Sequence, residues 1–335
     1  PESAGSEPGP ACYGRGGRHA TVTDADVILG KLSPALFGGG KLRLDVASAE
    51  EVVLQQVAQP LEMSPLQGAH AIAEIVEENM ASAARAHAGE WGKDVQGRCM
   101  IAFGGAAPLH AAYLARKLKI ERVLVPAGAG VGSAIGFLLA PVSFEVVRSL
   151  YMLLTDLQQS VVDDLFDGMR TEARRVLRGA GQVGDAVEKR EAYMRYVGQG
   201  YEVAVDISGM PVLAENVLRE CFEAVYQQLY GRTIPGMAVE ILSWTLSLSS
   251  KQTADDLQAA AGIDRKDQTA LPAATLFDQG SQVSAPLIQR TQLKAGEVLA
   301  GPLLVVEEQT TTVVPSDFAL TLLTDGTLSL QYAGE

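Results

Sequence analysis

The chain is short of cysteine, of positive charge and of long apolar runs. Three cysteines, Cys12, Cys99 and Cys221, are scattered through 335 residues without C-x-x-C spacing. That pattern argues against a disulfide framework or a structural zinc site, so no metal ligands are expected, and a reducing cytoplasm fits it best. Lys and Arg number 27 against 40 Asp and Glu, a net charge of −13. With no clustered basic face, nucleic acid is not an expected partner. The longest oily stretch, 135–147, is broken by Pro141 and Glu145, so no membrane span is expected. The first ten residues have neither a basic n-region nor an apolar h-region and do not read as a signal peptide.

What is present is a 47% hydrophobic composition with 34 glycines and 15 prolines. This suits a globular chain of two domains. Glycines crowd the first fifty residues, and such density suggests backbone running close to a ligand or to other backbone. Residues 20–23 read as a short strand, followed by a helix that Thr23 or Asp24 can cap. A longer helix is predicted over 64–88, opened by Ser64, Pro65 and Gln67, with Ile72, Ile75, Val76 and Met80 as its buried stripe. Glu74, Glu77 and Glu78 fall off that stripe, and His70 and His87 read as surface or packing residues.

Residues 99–126 predict a strand, a Gly104-Gly105 turn, a helix and a second strand, the βαβ arrangement of a parallel or mixed sheet. A second glycine-rich turn, 127–133, opens another helix. Both turns lie at helix N-termini, where free amides favour an anion. Residues 141–148 read as a domain boundary. Beyond it come a charged helix (156–179), two strands around a Gly-Gln-Gly turn (193–206) and a helix ending at Gly231. A strand over 239–249, a polar connection (251–270) and a β-rich tail with a hairpin at Asp325-Gly326 complete the chain.

Several segments together resemble the hydantoinase A/oxoprolinase family. They are 8–17 (Pro-Gly-Pro-Ala-Cys-Tyr-Gly-Arg-Gly-Gly), 21–26 (Thr-Val-Thr-Asp-Ala-Asp) and 102–111 (Ala-Phe-Gly-Gly-Ala-Ala-Pro-Leu-His-Ala). Residues 130–136, 195–202, 229–233 and 301–315 continue the match in order. The resemblance implies an α/β fold: the C-terminal part of an actin/hexokinase-like ATPase domain (1–145), then a smaller α+β domain (146–335). It implies ATP-dependent phosphorylation and opening of a cyclic amide of the hydantoin or 5-oxoproline type. Alternatives are a subunit of an ATP-dependent ketone carboxylase and a non-catalytic assembly fragment. ATP and Mg²⁺ are the implied cofactors, a hydantoinase B-type subunit the implied partner. The family's two Asp-x-Gly-Gly-Thr phosphate loops do not occur, and Ala107 replaces the more usual glycine. The chain is therefore expected to be the C-terminal half of a longer polypeptide, inactive alone and binding ATP at millimolar level or not at all.

On that reading Gly104, Gly105, Ala106, Gly130 and Ser133 are the expected nucleotide-binding residues, although Ser133 also suits a helix cap. His110 is a candidate base or substrate contact, or else a helix-packing imidazole. Asp24 is a candidate for Mg²⁺ through water or for substrate, against a capping role. Arg15 would clamp an anion or form a surface ion pair. Arg195 and Gln199 would serve the substrate or an interface. Cys12 reads chiefly as a small buried group, and Glu307 and Glu308 as solvated charges on a strand.

Overall fold

The computed structural model describes residues 3–181, 186–251 and 271–334. The chain divides into two compact units, Pro1–Leu138 with Leu257–Glu335, and Leu139–Asp256.

Residues 20–23 make no strand. They lead into helix α1 (Val22–Ile28) through a reciprocal cap: Thr21 Oγ1 accepts from the Asp24 amide at 3.2 Å, and Asp24 Oδ2 accepts from the Thr21 amide at 3.0 Å. Satisfying two otherwise orphaned amides at once outweighs a few residues of strand preference, and such a cap contributes about 1 kcal/mol. The capping residue is thus Thr21, with Asp24 its partner. Helix α2 (Val46–Val53) is capped by Asp45.

Helix α3 (Pro65–Glu90) starts with the expected Ser64/Gln67 capping box and Pro65 at its first position. Its buried face differs from the predicted one. Gly68, Ala69, Ala73, Glu77 and Ala81 are buried, whereas Ile75 is 62% exposed. α3 packs against α1 and against a second helix, α4 (Ala107–Leu118). Small side chains at four-residue spacing admit close helix approach. Glu77 lies within that seam because cations await it there.

Strands β1 (Cys99–Ile101) and β2 (Arg122–Val125) pair in parallel across α4, the predicted βαβ unit. The following glycine turn opens α5 (Gly132–Leu139), none of whose residues is buried.

The second unit opens, just past the division at Leu138/Leu139, with a strand, β3 (Ser143–Leu153). There follow α6 (Gln159–Gly179), β4 (Ala186–Tyr196), β5 (Val203–Asp206), α7 (Glu215–Tyr230) and β6 (Val239–Ser250). The sheet is antiparallel in the order β3-β6-β4-β5. Alternation places Ala192, Met194 and Tyr196 of β4 inward. In β6 the register slips at Leu242, so that Ile241 and Trp244, three apart, both face the core. Trp244 meets Phe166 edge-on at 5.8 Å, and Tyr196 meets Phe222 at 4.9 Å.

The tail adds β7 (Ala274–Asp278), β8 (Ser281–Ala285), β9 (Leu287–Gln289), β10 (Val298–Ala300), β11 (Leu303–Val306), β12 (Thr311–Val314), β13 (Phe318–Leu322) and β14 (Leu328–Tyr332). The polar connection expected before it lies, but for residue 251, outside the described residues. β14 pairs antiparallel with β2, giving a five-stranded sheet in the order β1-β2-β14-β13-β10. With β14 beside β2, the C-terminal tail belongs to the first compact unit. The predicted hairpin turn is present, with Gly326 at φ 81° between β13 and β14.

Candidate active site

The Gly104-Gly105 turn is an open bend at the start of α4. Gly104 holds φ 117°, which a side chain would strain, and its amide donates to Ala129 O at 2.7 Å. Gly105 and Ala106 are exposed on the wall of a cavity of about 410 Å³. Four further segments reach that cavity: Tyr13, Asp26, Phe37 and Thr310 are representative. Thr310 fixes the bend from one side, its hydroxyl donating to Gly105 O at 2.9 Å. The walls combine apolar surface with carboxylates, and no Lys or Arg is among the described residues lining them.

Glu307 belongs to this wall and is not the solvated edge charge its sequence suggested. Its side chain is 14% exposed and pairs with the buried Arg290 at 3.0 Å. Burial pushes the Glu307 carboxyl above its ordinary value against the pull of Arg290. Arg290 also donates to Gly326 O at 2.7 Å and Val125 O at 3.4 Å, tying three loops together. Glu308, by contrast, is exposed and accepts from Lys41 at 2.6 Å.

Behind the bend lies a buried charged quartet. Asp26 of α1, Lys31 just beyond it, Glu77 of α3 and His110 of α4 are each no more than 6% exposed. His110 Nε2 stands 3.2 Å from Asp26 Oδ2, and its Nδ1 3.2 Å from Glu77 Oε1. Lys31 Nζ lies 3.0 Å from Glu77 Oε1 and 3.7 Å from Asp26 Oδ1. The cation among these carboxylates is the protein's own ammonium. Nothing in the sequence singled out Lys31, and Glu77 was read as solvent-facing. The available signal was a lone acid in line with Gly68, Ala69, Ala73 and Ala81 on the small-residue face.

The other sequence candidates are placed as follows. Asp24 is fully buried and both its oxygens are engaged: Oδ1 accepts from Cys12 N at 2.8 Å, and Oδ2 accepts from Thr21 Oγ1 at 2.7 Å. That geometry ties the 11–13 turn to α1 and, with Asp24 sealed from solvent, gives it the capping role. His110 does not line the cavity. Gly130 is explained by packing, since a Cβ there would stand 2.6 Å from Gln309 Cβ. Neither it nor the exposed Ser133, the second residue of α5, lines the cavity. Arg15 makes a surface contact with Glu7 at 4.0 Å. In the second unit Arg195 pairs with Glu240 at 2.6 Å and Gln199 donates to the Tyr226 hydroxyl at 2.9 Å. Cys12 is buried, and burial, with Asp24 beside it, drives its thiol well above the usual range. His70 packs on Phe277 and His87 faces Glu90 on the surface. Among the described residues no helix is long and apolar enough to cross a membrane.

The motifs and fold together define a family. Residues 1–146 match the hydantoinase/oxoprolinase model and residues 155–331 the hydantoinase/oxoprolinase C-terminal domain, and the chain belongs to this family. It is 32% identical to the acetophenone carboxylase gamma subunit of Aromatoleum aromaticum, over 99% of this chain and 47% of that subunit. It is 30% identical to the caprolactamase subunit alpha of Pseudomonas jessenii, over 98% of this chain and 49% of that subunit. The crystal structure of that ATP-dependent caprolactamase superposes with a TM-score of 0.74 at 26% identity, covering 100% of this chain and 50% of the other. Nucleotide-free acetone carboxylase shares the fold, with a TM-score of 0.79 at 20% identity over 96% of this chain and 48% of the other. The chain thus spans about half the length of these relatives.

Proposed function

We propose that this chain is the C-terminal part of an ATP-dependent enzyme that phosphorylates and opens a cyclic amide of the hydantoin or 5-oxoproline type. The carrying observation is convergence: five separated segments, four of them bearing family motifs and the fifth the glycine run at 38–40, meet at one cavity beside the bare bend at 104–106. A flat, neutral purine fits such a wall, with Tyr13 and Phe37 offering ring faces and Gly105 and Ala106 little bulk. Phosphates find no Lys or Arg to balance them among the described residues of this wall. Asp26 and Glu307 pair with Lys31, His110 and Arg290, which weighs against Mg²⁺ at this wall. The reading therefore assigns adenosine to Gly104, Gly105 and Ala106, and the triphosphate and Mg²⁺ to an N-terminal half of the polypeptide. ATP supplies the phosphoryl group that makes an amide oxygen a good leaving group.

A second reading, a ketone carboxylase subunit, is supported by the equally close likeness to the acetophenone carboxylase gamma subunit. Both named relatives are subunits, which supports a hetero-oligomer, here with a hydantoinase B-type partner, and the free cysteines suit the cytoplasm. The test is phosphate release by the complete polypeptide and its partner with hydantoin, 5-oxoproline or acetone-like ketones plus bicarbonate. Turnover with the cyclic amides supports the first reading, and turnover only with ketones replaces it. Ala106→Trp, which fills the cavity from an exposed position, should raise KM for ATP at least about tenfold, equivalent to ~1.4 kcal/mol. An unchanged KM overturns the adenosine assignment.

A further inference from the structure

We propose that Asp26, Lys31, Glu77 and His110 form a charge-closed strut that positions the glycine bend, with His110 as an imidazolium. Loss of its proton in alkaline solution then slackens the adjoining cavity. None of the four is needed as an acid or base by the function proposed above, yet burying four ionisable groups is costly unless their charges cancel.

The contacts to both carboxylates favour the charged ring over a neutral tautomer that would donate from Nε2 to Asp26 and accept from Lys31 at Nδ1, 3.4 Å away. Both ring nitrogens of His110 face carboxylate oxygens at 3.2 Å. A neutral imidazole has one N–H, so only the imidazolium donates to both. The count agrees: two carboxylates balance one ammonium and one imidazolium, while a neutral His110 leaves a surplus buried negative charge. Lys31 Nζ lies 3.4 Å from Nδ1, and the two cations are held together by sharing Glu77 Oε1.

Lys31 and Glu77 also line a second cavity of about 320 Å³ with His70, Glu74 and Arg116, where Glu74 pairs with Lys117 at 2.7 Å. Lys31 rests 4.4 Å above the Tyr113 ring, and Arg116 beside that ring is committed to Asp317, with Asp278 at 4.0 Å. β12, packed on α4, brings only Thr and Val. Burial works against charge on His110, but the hydrogen bonds to Asp26 and Glu77 outweigh it and hold the imidazolium above its ordinary range. The same contacts hold Glu77 below its ordinary range despite burial.

The strut reaches the cavity directly. His110 is the fourth residue of α4, one turn from the bend, and Asp26 and Leu109 are themselves part of the wall. Thr310 secures the bend on one side; the quartet secures α4 to α1 and α3 on the other. A group with a raised folded pKa stabilises fully below its unfolded value, here 6.5, and less as pH rises through the folded value.

The test uses the complete polypeptide labelled in histidine, with His110→Gln assigning the resonance. His110 should still be protonated at pH 7.5, above its ordinary range. A His110 that titrates at or below 6.5 overturns the strut. Between pH 6.5 and 9 the wild-type Tm should fall by about 2–4 °C more than that of His110→Gln. The pair His110→Gln/Glu77→Gln should regain part of the Tm lost by the single variant, since it removes the surplus carboxylate; no recovery contradicts the charge count. Over the same pH range KM for ATP should rise at least about threefold (~0.7 kcal/mol) with kcat steady, and stay flat in the double variant. This last readout rests on the adenosine reading. If Ala106→Trp raises KM while alkaline pH does not, the coupling to the cavity fails and the adenosine reading stands. If Ala106→Trp is silent while His110 titrates high, the converse holds.

Discussion

The two compact units bury different things. Trp244, Tyr196, Phe166 and Phe222, large side chains with almost no exposure, all belong to the second unit. Among the described residues, the first contributes Asp24, Asp26, Lys31, Glu77, His110, Asp278 and Arg290 to the buried charged groups, the second only Glu240. Apolar packing is non-directional and asks chiefly for volume, whereas a buried charge needs a partner at one distance and angle. The charged interior is found where the motif-lined cavity is, which suits a region that must hold its backbone in one arrangement.

Two changes of similar expected cost, one removing a charge and one removing volume, should separate the two interiors. Lys31→Met leaves two buried carboxylates facing one imidazolium and should cost about 3–5 kcal/mol in denaturant unfolding of the complete polypeptide. Trp244→Ala should cost about as much, ~3–5 kcal/mol, through the cavity it leaves. The distinction lies in pH. Acidification toward the carboxylate range should return part of the stability lost by Lys31→Met, because protonating one carboxylate restores neutrality, and should return none to Trp244→Ala. Identical pH profiles for the two variants would remove the contrast between the units.

The second unit was the more legible in sequence for the same reason. Helix α6 and the Gly231 stop of α7 depend on local periodicity and capping, which a linear reading captures. The βαβ unit and the 104–105 bend were legible too. What was missed depends on partners distant in sequence: Glu77 gains Lys31 and His110, Glu307 gains Arg290, and β14 gains β2. The strand expected at 20–23 failed to a cap, a side-chain geometry that propensity does not weigh. The candidate site was therefore half visible, its glycines and histidine in plain sight and its counter-ions hidden in a helix face that looked solvated.

That helix face allows a finer test. Ala73 sits fully within the α3 seam. Ala73→Leu adds volume where α1 and α3 meet and should destabilise by about 1–3 kcal/mol. On a reading of α3 by its large apolar residues, the same change would enlarge the core and stabilise.

The smallest expected effect discriminates as sharply. Ile75 lies in the apolar stripe that periodicity would bury, yet it is 62% exposed. Ile75→Ser should therefore change unfolding free energy by less than about 0.5 kcal/mol. A buried isoleucine losing most of its apolar surface would cost several times that, on the order of 2–5 kcal/mol. A large loss at 75 together with tolerance at 73 would rotate α3 about its axis, carry Glu77 out of the seam and dissolve the quartet with it. A silent 75 beside a costly 73 holds the small-residue face inward, where Glu77 can meet Lys31 and His110.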